Sequence, residues 1–124
     1  MRLDPDCVRD ILIAVESVCD MEHYFSSVED GSLIKGKHSK EKIAYHVRQC
    51  DWAGLLYQCS ITFDMDFEIA DLTPAGHKFL SDIRQNSTWS KIKKISSKVG
   101  GVSISTLMQI SSSVAAQVIA SQLK

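Results

Sequence analysis

Apolar side chains at Val8, Ile11, Leu12 and Val15 recur at the three-and-four spacing of one helical face. Asp4 can accept from free backbone N–H groups at the start of that helix. Pro5 suits its first position, and Asp6 complements its dipole. Asp20 is the expected exit. Between residues 20 and 38 the pattern dissolves. Tyr24, Phe25, Val28, Leu33 and Ile34 follow no fixed period, and Asp30-Gly31 marks a turn. A short extended piece around Leu33–Ile34, with loop elsewhere, is the expectation for this stretch.

Periodicity returns at Ser39, a helix cap. Ile43, Val47 and Cys50 fall on one face with His46 at its border, and Glu41, Tyr45, Arg48, Gln49 and Trp52 fall opposite. Gly54 ends this helix, because glycine accepts the left-handed backbone a helix stop needs. Leu55 and Leu56 lead into a hairpin, with Ile61, Phe63, Phe67 and Ile69 on its arms and Asp64-Met65-Asp66 near its tip. Thr73 caps and Pro74 opens the next helix, with Phe79, Leu80 and Ile83 inward. Asn86-Ser87-Thr88 is expected to break it. A further helix runs from Trp89 to about Lys98, apolar at Trp89, Ile92 and Ile95 and basic at Lys91, Lys93, Lys94 and Lys98. Gly100-Gly101 separates it from a last helix, Ser105 to Leu123, striped by Leu107, Ile110, Val114 and Val118.

A helix stopped by glycine, a hairpin, and a helix opened by Thr-Pro together predict a winged helix. The class is α+β, mainly helical, with a small antiparallel hairpin sheet. Residues 1–85 would form the winged-helix domain and residues 86–124 a C-terminal helical extension. A chain of 124 residues suffices for one core.

Net charge is -1, so no global field draws the molecule to nucleic acid or membrane. Local imbalance changes that picture. Residues 1–32 carry two basic and eight acidic side chains, and residues 33–50 carry five basic and one acidic. Residues 55–76 carry four acids and no base, residues 77–98 six bases and one acid, and residues 99–123 no charge. The helix ahead of the hairpin, which in a winged helix usually enters the major groove, is therefore basic. Lys40, Lys42, Tyr45, Arg48 and Gln49 are its candidate DNA contacts, Arg48 and Gln49 being able to read base edges and the lysines to neutralise phosphate. Lys91 and Lys94, beside Trp89, are candidates for a second basic surface. An inward Trp89 with merely solubilising lysines is the favoured reading there. The acids Asp64, Asp66 and Glu68 in the hairpin oppose phosphate and favour a protein-interaction domain instead.

Other chemistry finds little support. The four histidines lie far apart, and none pairs with a cysteine at zinc-finger spacing, so no metal site is expected. No nucleophile elbow and no phosphate loop is present. No cofactor and no enzymatic activity are expected. Cys7, Cys19, Cys50 and Cys59 lack Cys-x-x-Cys spacing and read as reduced thiols. With no secretory signal and no apolar run of membrane-spanning length, the expectation is a cytoplasmic protein without a membrane partner.

Several pieces of the chain also resemble a bacterial and phage family catalogued as a domain of unknown function. They are Asp6 through Leu12, Tyr45-His46-Val47 with Ala53-Gly54-Leu55, and Leu72-Thr73 with Gly76-His77 and Phe79-Leu80. Thr88-Trp89 with Lys91, and Gly100-Gly101, complete the match. Gln49 and Cys50 stand where that family tends to place leucines, and Trp52 where it tends to place an acid. The resemblance implies a winged-helix protein of prophages and mobile elements and brings no catalytic residues. Winged-helix regulators commonly dimerise through added terminal helices. The resemblance therefore implies a homodimer through Leu107, Ile110, Val114 and Val118. The leading expectation is a small regulatory protein that binds double-stranded DNA. The alternative is a protein-interaction module of a phage–host conflict or regulatory system.

Overall fold

A computed structural model describes residues 1–123. The element order is α1 (Pro5–Val18), β1 (Phe25–Ser26), α2 (Ser27–Asp30), α3 (Lys40–Trp52), β2 (Leu56–Ile61), β3 (Phe67–Leu72), α4 (Pro74–Ile83), α5 (Asn86–Ser97) and α6 (Ile104–Gln122). A one-turn 3-10 helix, Gly31–Leu33, follows α2. The strands form an antiparallel sheet in the order β1-β3-β2, with Phe25 opposite Ile69 and Leu56 opposite Leu72. This is an α+β, winged-helix-like arrangement: α3 precedes a hairpin whose second strand is flanked by a short strand from the start of the chain.

The expected helix starts are present. Asp4 accepts from the Asp6 N–H at 3.0 Å, Ser39 from Lys42 N–H at 3.1 Å, and Thr73 from Gly76 N–H at 3.0 Å. Each satisfies a backbone donor that the first turn leaves unpaired. Val8, Ile11, Leu12 and Val15 are all fully buried.

Three expectations need correction. The extended piece lies at Phe25–Ser26, not at Leu33–Ile34, and residues 27–33 are helical. Its anchor is the Ser27 hydroxyl, which accepts from the Phe67 N–H at 2.8 Å and donates to Asp66 at 3.2 Å. Phe25 stacks on Phe67 with ring centroids 5.9 Å apart. Asn86-Ser87-Thr88 forms the first turn of α5 rather than a break. There the Arg9 guanidinium donates to the carbonyls of Ile83 and Arg84 and to the Asn86 side chain, closing the corner between α4 and α5. Phe63 sits in the 62–66 turn, not on an arm of the hairpin.

The apolar stripe of α6 is also placed differently from the expected dimer seam. Leu107 and Val114 are buried in the same core as α1 and α4, and Ile110 and Val118 pack against it half-buried. Trp89 and Ile92 of α5 join that core too, so it extends across residue 85. The four cysteines are unpaired thiols, Cys7 and Cys50 buried. No helix among the described residues is long and apolar enough to cross a membrane.

The junction between α3, the hairpin and α4 depends on two glycines. Gly54 adopts φ +80°, turning the chain out of α3. Thr73 then donates its hydroxyl to the Gly54 carbonyl at 2.6 Å and its N–H to the Leu55 carbonyl at 3.0 Å. Gly76 lies flush on that same Leu55 carbonyl, where a Cβ would overlap the oxygen. This contact is the physical content of the Leu72-Thr73-x-x-Gly76 pattern. Replacing Gly76 by alanine forces strand and helix apart and should destabilise the protein by about 1–3 kcal/mol. A lowered urea midpoint at unchanged m would report it.

Candidate functional site

Helix α3 is held by its buried face. His46 is fully buried, and both ring nitrogens are committed. The Asp4 N–H donates to Nε2 at 2.8 Å, and Nδ1 donates to the Lys42 carbonyl at 2.7 Å. The ring is thus a neutral Nδ1–H tautomer, since Nε2 must accept. Lys42 adds an ion pair to the Asp4 carboxylate at 2.5 Å, and this bond raises the lysine's pKa. One turn earlier, His38 meets Asp10 at 2.9 Å and fastens the loop before α3 to the middle of α1.

The open face of α3 is a different environment. Arg48 lies over the rings of both Tyr45 and Trp52, at 5.4 and 4.9 Å, so the guanidinium is stacked between residues one turn before and after it. Trp52 is 70% exposed. Across a groove of about 490 Å³ stand Ile61, Phe63 and Met65 of the hairpin, with Glu41 and Thr62 among the lining and Ala44 and Tyr45 on the helix side. Phe63 is fully exposed at the tip. The tip turn is closed by Met65 N–H to the Thr62 carbonyl at 3.0 Å, and Met65 takes φ +64°, a backbone that usually selects glycine or asparagine.

Of the DNA-contact candidates, only some remain on this face. Tyr45 and Arg48 are brought together there. Gln49 is half-buried and makes no side-chain hydrogen bond among the described residues. Lys42 is turned to Asp4, and Lys40 is turned to Asp66 at 3.2 Å, beside the hairpin. Lys91 and Lys94 are exposed on α5, with no hydrogen bond, ion pair or ring contact to α3 among the described residues. Trp89 is buried as expected, donating Nε1–H to Asp6 at 2.9 Å, and Lys93 pairs with the same carboxylate at 3.2 Å. Sequence reading did not find Phe63 as an exposed tip residue or Asp4 as the anchor of α3. The missing glycine in a turn built from Phe63-Asp64-Met65 is the one signal that could have pointed to the former.

Burial lowers the His46 pKa below its ordinary value, although the Lys42 carbonyl and the Asp4 carboxylate pull the other way. A histidine whose folded pKa lies below its unfolded pKa of about 6.5 stabilises fully above that pH. Its contribution is lost as pH falls from about 6.5 toward the folded pKa, at up to about 1.4 kcal/mol per pH unit. His46→Gln should be the less stable protein at pH 7, with the gap to the native chain narrowing as pH falls below about 6.5 in urea titrations. A gap that holds constant would mean the ring's charge state is irrelevant.

The two tryptophans offer a check on the face itself. In dilute solution acrylamide should quench the native protein readily through Trp52. The Trp52→Phe protein, which keeps only buried Trp89, should show blue-shifted and poorly quenched emission.

Comparison with known proteins adds a lineage to this geometry. A family model described as hypothetical protein (DUF2513) matches residues 2–103. An uncharacterized protein of Haemophilus influenzae is 30% identical over 126 residues, spanning 97% of this chain and 100% of the relative. No solved structure matches the chain. The Asp4 anchor, the α3 groove and the Leu55–Gly76 contact all fall within the matched residues, and α6 follows them. The chain belongs to the family of hypothetical proteins DUF2513.

Proposed function

We propose that the protein works by binding another protein through the open face of α3 and its hairpin, as a non-enzymatic regulatory component of the kind a phage or mobile element carries. One observation carries this reading: the face presents Tyr45, Arg48, Trp52 and exposed Phe63 while the lysines of α3 are engaged elsewhere in the chain. Tyrosine, tryptophan and arginine dominate the energetics of protein interfaces, and lysine is depleted from their centres. Glu41 within the groove and Asp64 at the tip oppose the phosphate backbone.

DNA binding is the second reading. It is favoured by the Arg48 guanidinium, which has no ion-pair partner among the described residues and stands where a recognition helix meets the groove. Exposed Lys35 and Lys37 flank the helix start.

Salt dependence separates the two. A protein-binding face on which Arg48 is the single unpaired cation among the described residues should bind mixed-sequence duplex no tighter than about 10⁻⁴ M at physiological salt. Its log K should fall with log salt at a slope no steeper than about -2. In cells, a photo-crosslinking residue at position 63 should trap a polypeptide, and Trp52→Ala should abolish that adduct. A steep salt slope that Arg48→Ala flattens would transfer the helix to DNA.

A further inference from the structure

The open stripe of α3 has a spacing and a charge order of its own. Glu41, Tyr45, Arg48 and Trp52 recur at intervals of four, three and four, the spacing at which one helix presents a seam to another. Neither Glu41 nor Arg48 has an ion-pair or hydrogen-bond partner among the described residues. Every other charged side chain in α3 except Asp51 is paired within the chain. Glu41 and Arg48 are also equidistant in sequence from the point between Ala44 and Tyr45, where Ala44, itself buried, forms part of the groove lining and adds no bulk beyond a methyl group.

We propose that the occupant of this groove is a second copy of the chain, its α3 antiparallel to the first across a two-fold axis between Ala44 and Tyr45. The proposal rests on the protein-recognition reading and names the partner for that face. A two-fold axis there sets Glu41 against the partner's Arg48, and Arg48 against the partner's Glu41. Such an interface is isologous, and the charge order of α3 is self-complementary for that one orientation. A parallel pair would set like charges together. Each α3 would lie in the groove between its partner's α3 and hairpin, where Ile61, Phe63 and Met65 supply the apolar wall. Arg48 is already ordered by stacking on Tyr45 and Trp52, which lowers the entropy lost on pairing. The stripe of α6 does not compete as the seam, since Leu107 and Val114 are buried in their own chain.

A charge swap tests this. Sedimentation equilibrium of the native chain should show a concentration-dependent dimer. Glu41→Arg and Arg48→Glu should each weaken it at least about tenfold, by placing like charges together. The double variant E41R/R48E should return the dissociation constant to within about threefold of native, because the reversed pairs are again opposite. A chain that stays monomeric up to about 1 mM, far above the range of specific association, would overturn the proposal. So would a dimer indifferent to the single variants, or a double variant no tighter than they are. The photo-crosslink at position 63 tells the two failures apart. A monomer that still loses an adduct to a different protein on Trp52→Ala leaves the protein-recognition reading standing, and a monomer with no such adduct removes both.

Discussion

The structure depends on a row of carboxylates that begins at the cap of α1 and continues along it. Asp4 ties down α3 through Lys42, and its backbone N–H fixes the buried His46. Asp6 receives the Trp89 indole and Lys93 of α5. Asp10 holds His38 and the loop before α3, and Glu16 meets Arg84 at the end of α4. Apolar burial supplies the drive for collapse but has no direction. These polar contacts have geometry, and they set the rotation of α3 about its own axis. Rotation decides which residues of α3 become surface, so the stacked Tyr45–Arg48–Trp52 face is a consequence of what α1 takes away.

The second constraint is steric. The Leu55 carbonyl accepts from the Thr73 N–H and also lies directly against Gly76, where no Cβ would fit. With Gly54 turning the chain just before it, this fixes where the hairpin leaves α3 and hence the width of the groove. The two constraints act on opposite ends of α3. Its N-terminal half is pinned to α1 by polar contacts, and its C-terminal exit is pinned to α4 by backbone contact. Between them the helix has no freedom to bring Lys42 to the outer face without losing its bond to Asp4.

Much of the fold was legible because it is written in local rules. Asp4-Pro5, Ser39, Gly54 and Thr73-Pro74 each carry their own conformational reason, and all four behave accordingly. What was illegible is written in pairs of distant residues. A two-residue strand has no period to detect, and β1 is defined by distant partners: its ladder to Ile69 and Glu68, the stacking of Phe25 on Phe67, and the bond from the Phe67 N–H to Ser27. The polar start of α5 resembled a break until Arg9, far away in the chain, closed the corner. The α6 stripe had the right spacing for a helix seam but not the identity of its partner, which is the chain's own core. The same limit governed the candidate site: Tyr45 and Arg48 were found from helical phase, whereas the fate of Lys40 and Lys42 needed Asp66 and Asp4 in place.

Charge illustrates this best. The acidic start and the basic middle of the chain look like separate surfaces, one for repulsion and one for phosphate. In the folded protein three acids of the start are met by cations from later in the chain, in the pairs Lys42–Asp4, Lys93–Asp6 and Arg84–Glu16, and a fourth, Asp10, is hydrogen-bonded to His38. Among the described residues, the open face of α3 retains one cation, Arg48, and one anion, Glu41, beside an acidic hairpin tip. Such a face has little field at a distance, and long-range attraction to a polyanion needs a field. It does have opposite charges at a fixed separation among aromatic side chains. Discrimination at contact range requires that arrangement, because a partner must match both the sign and the spacing.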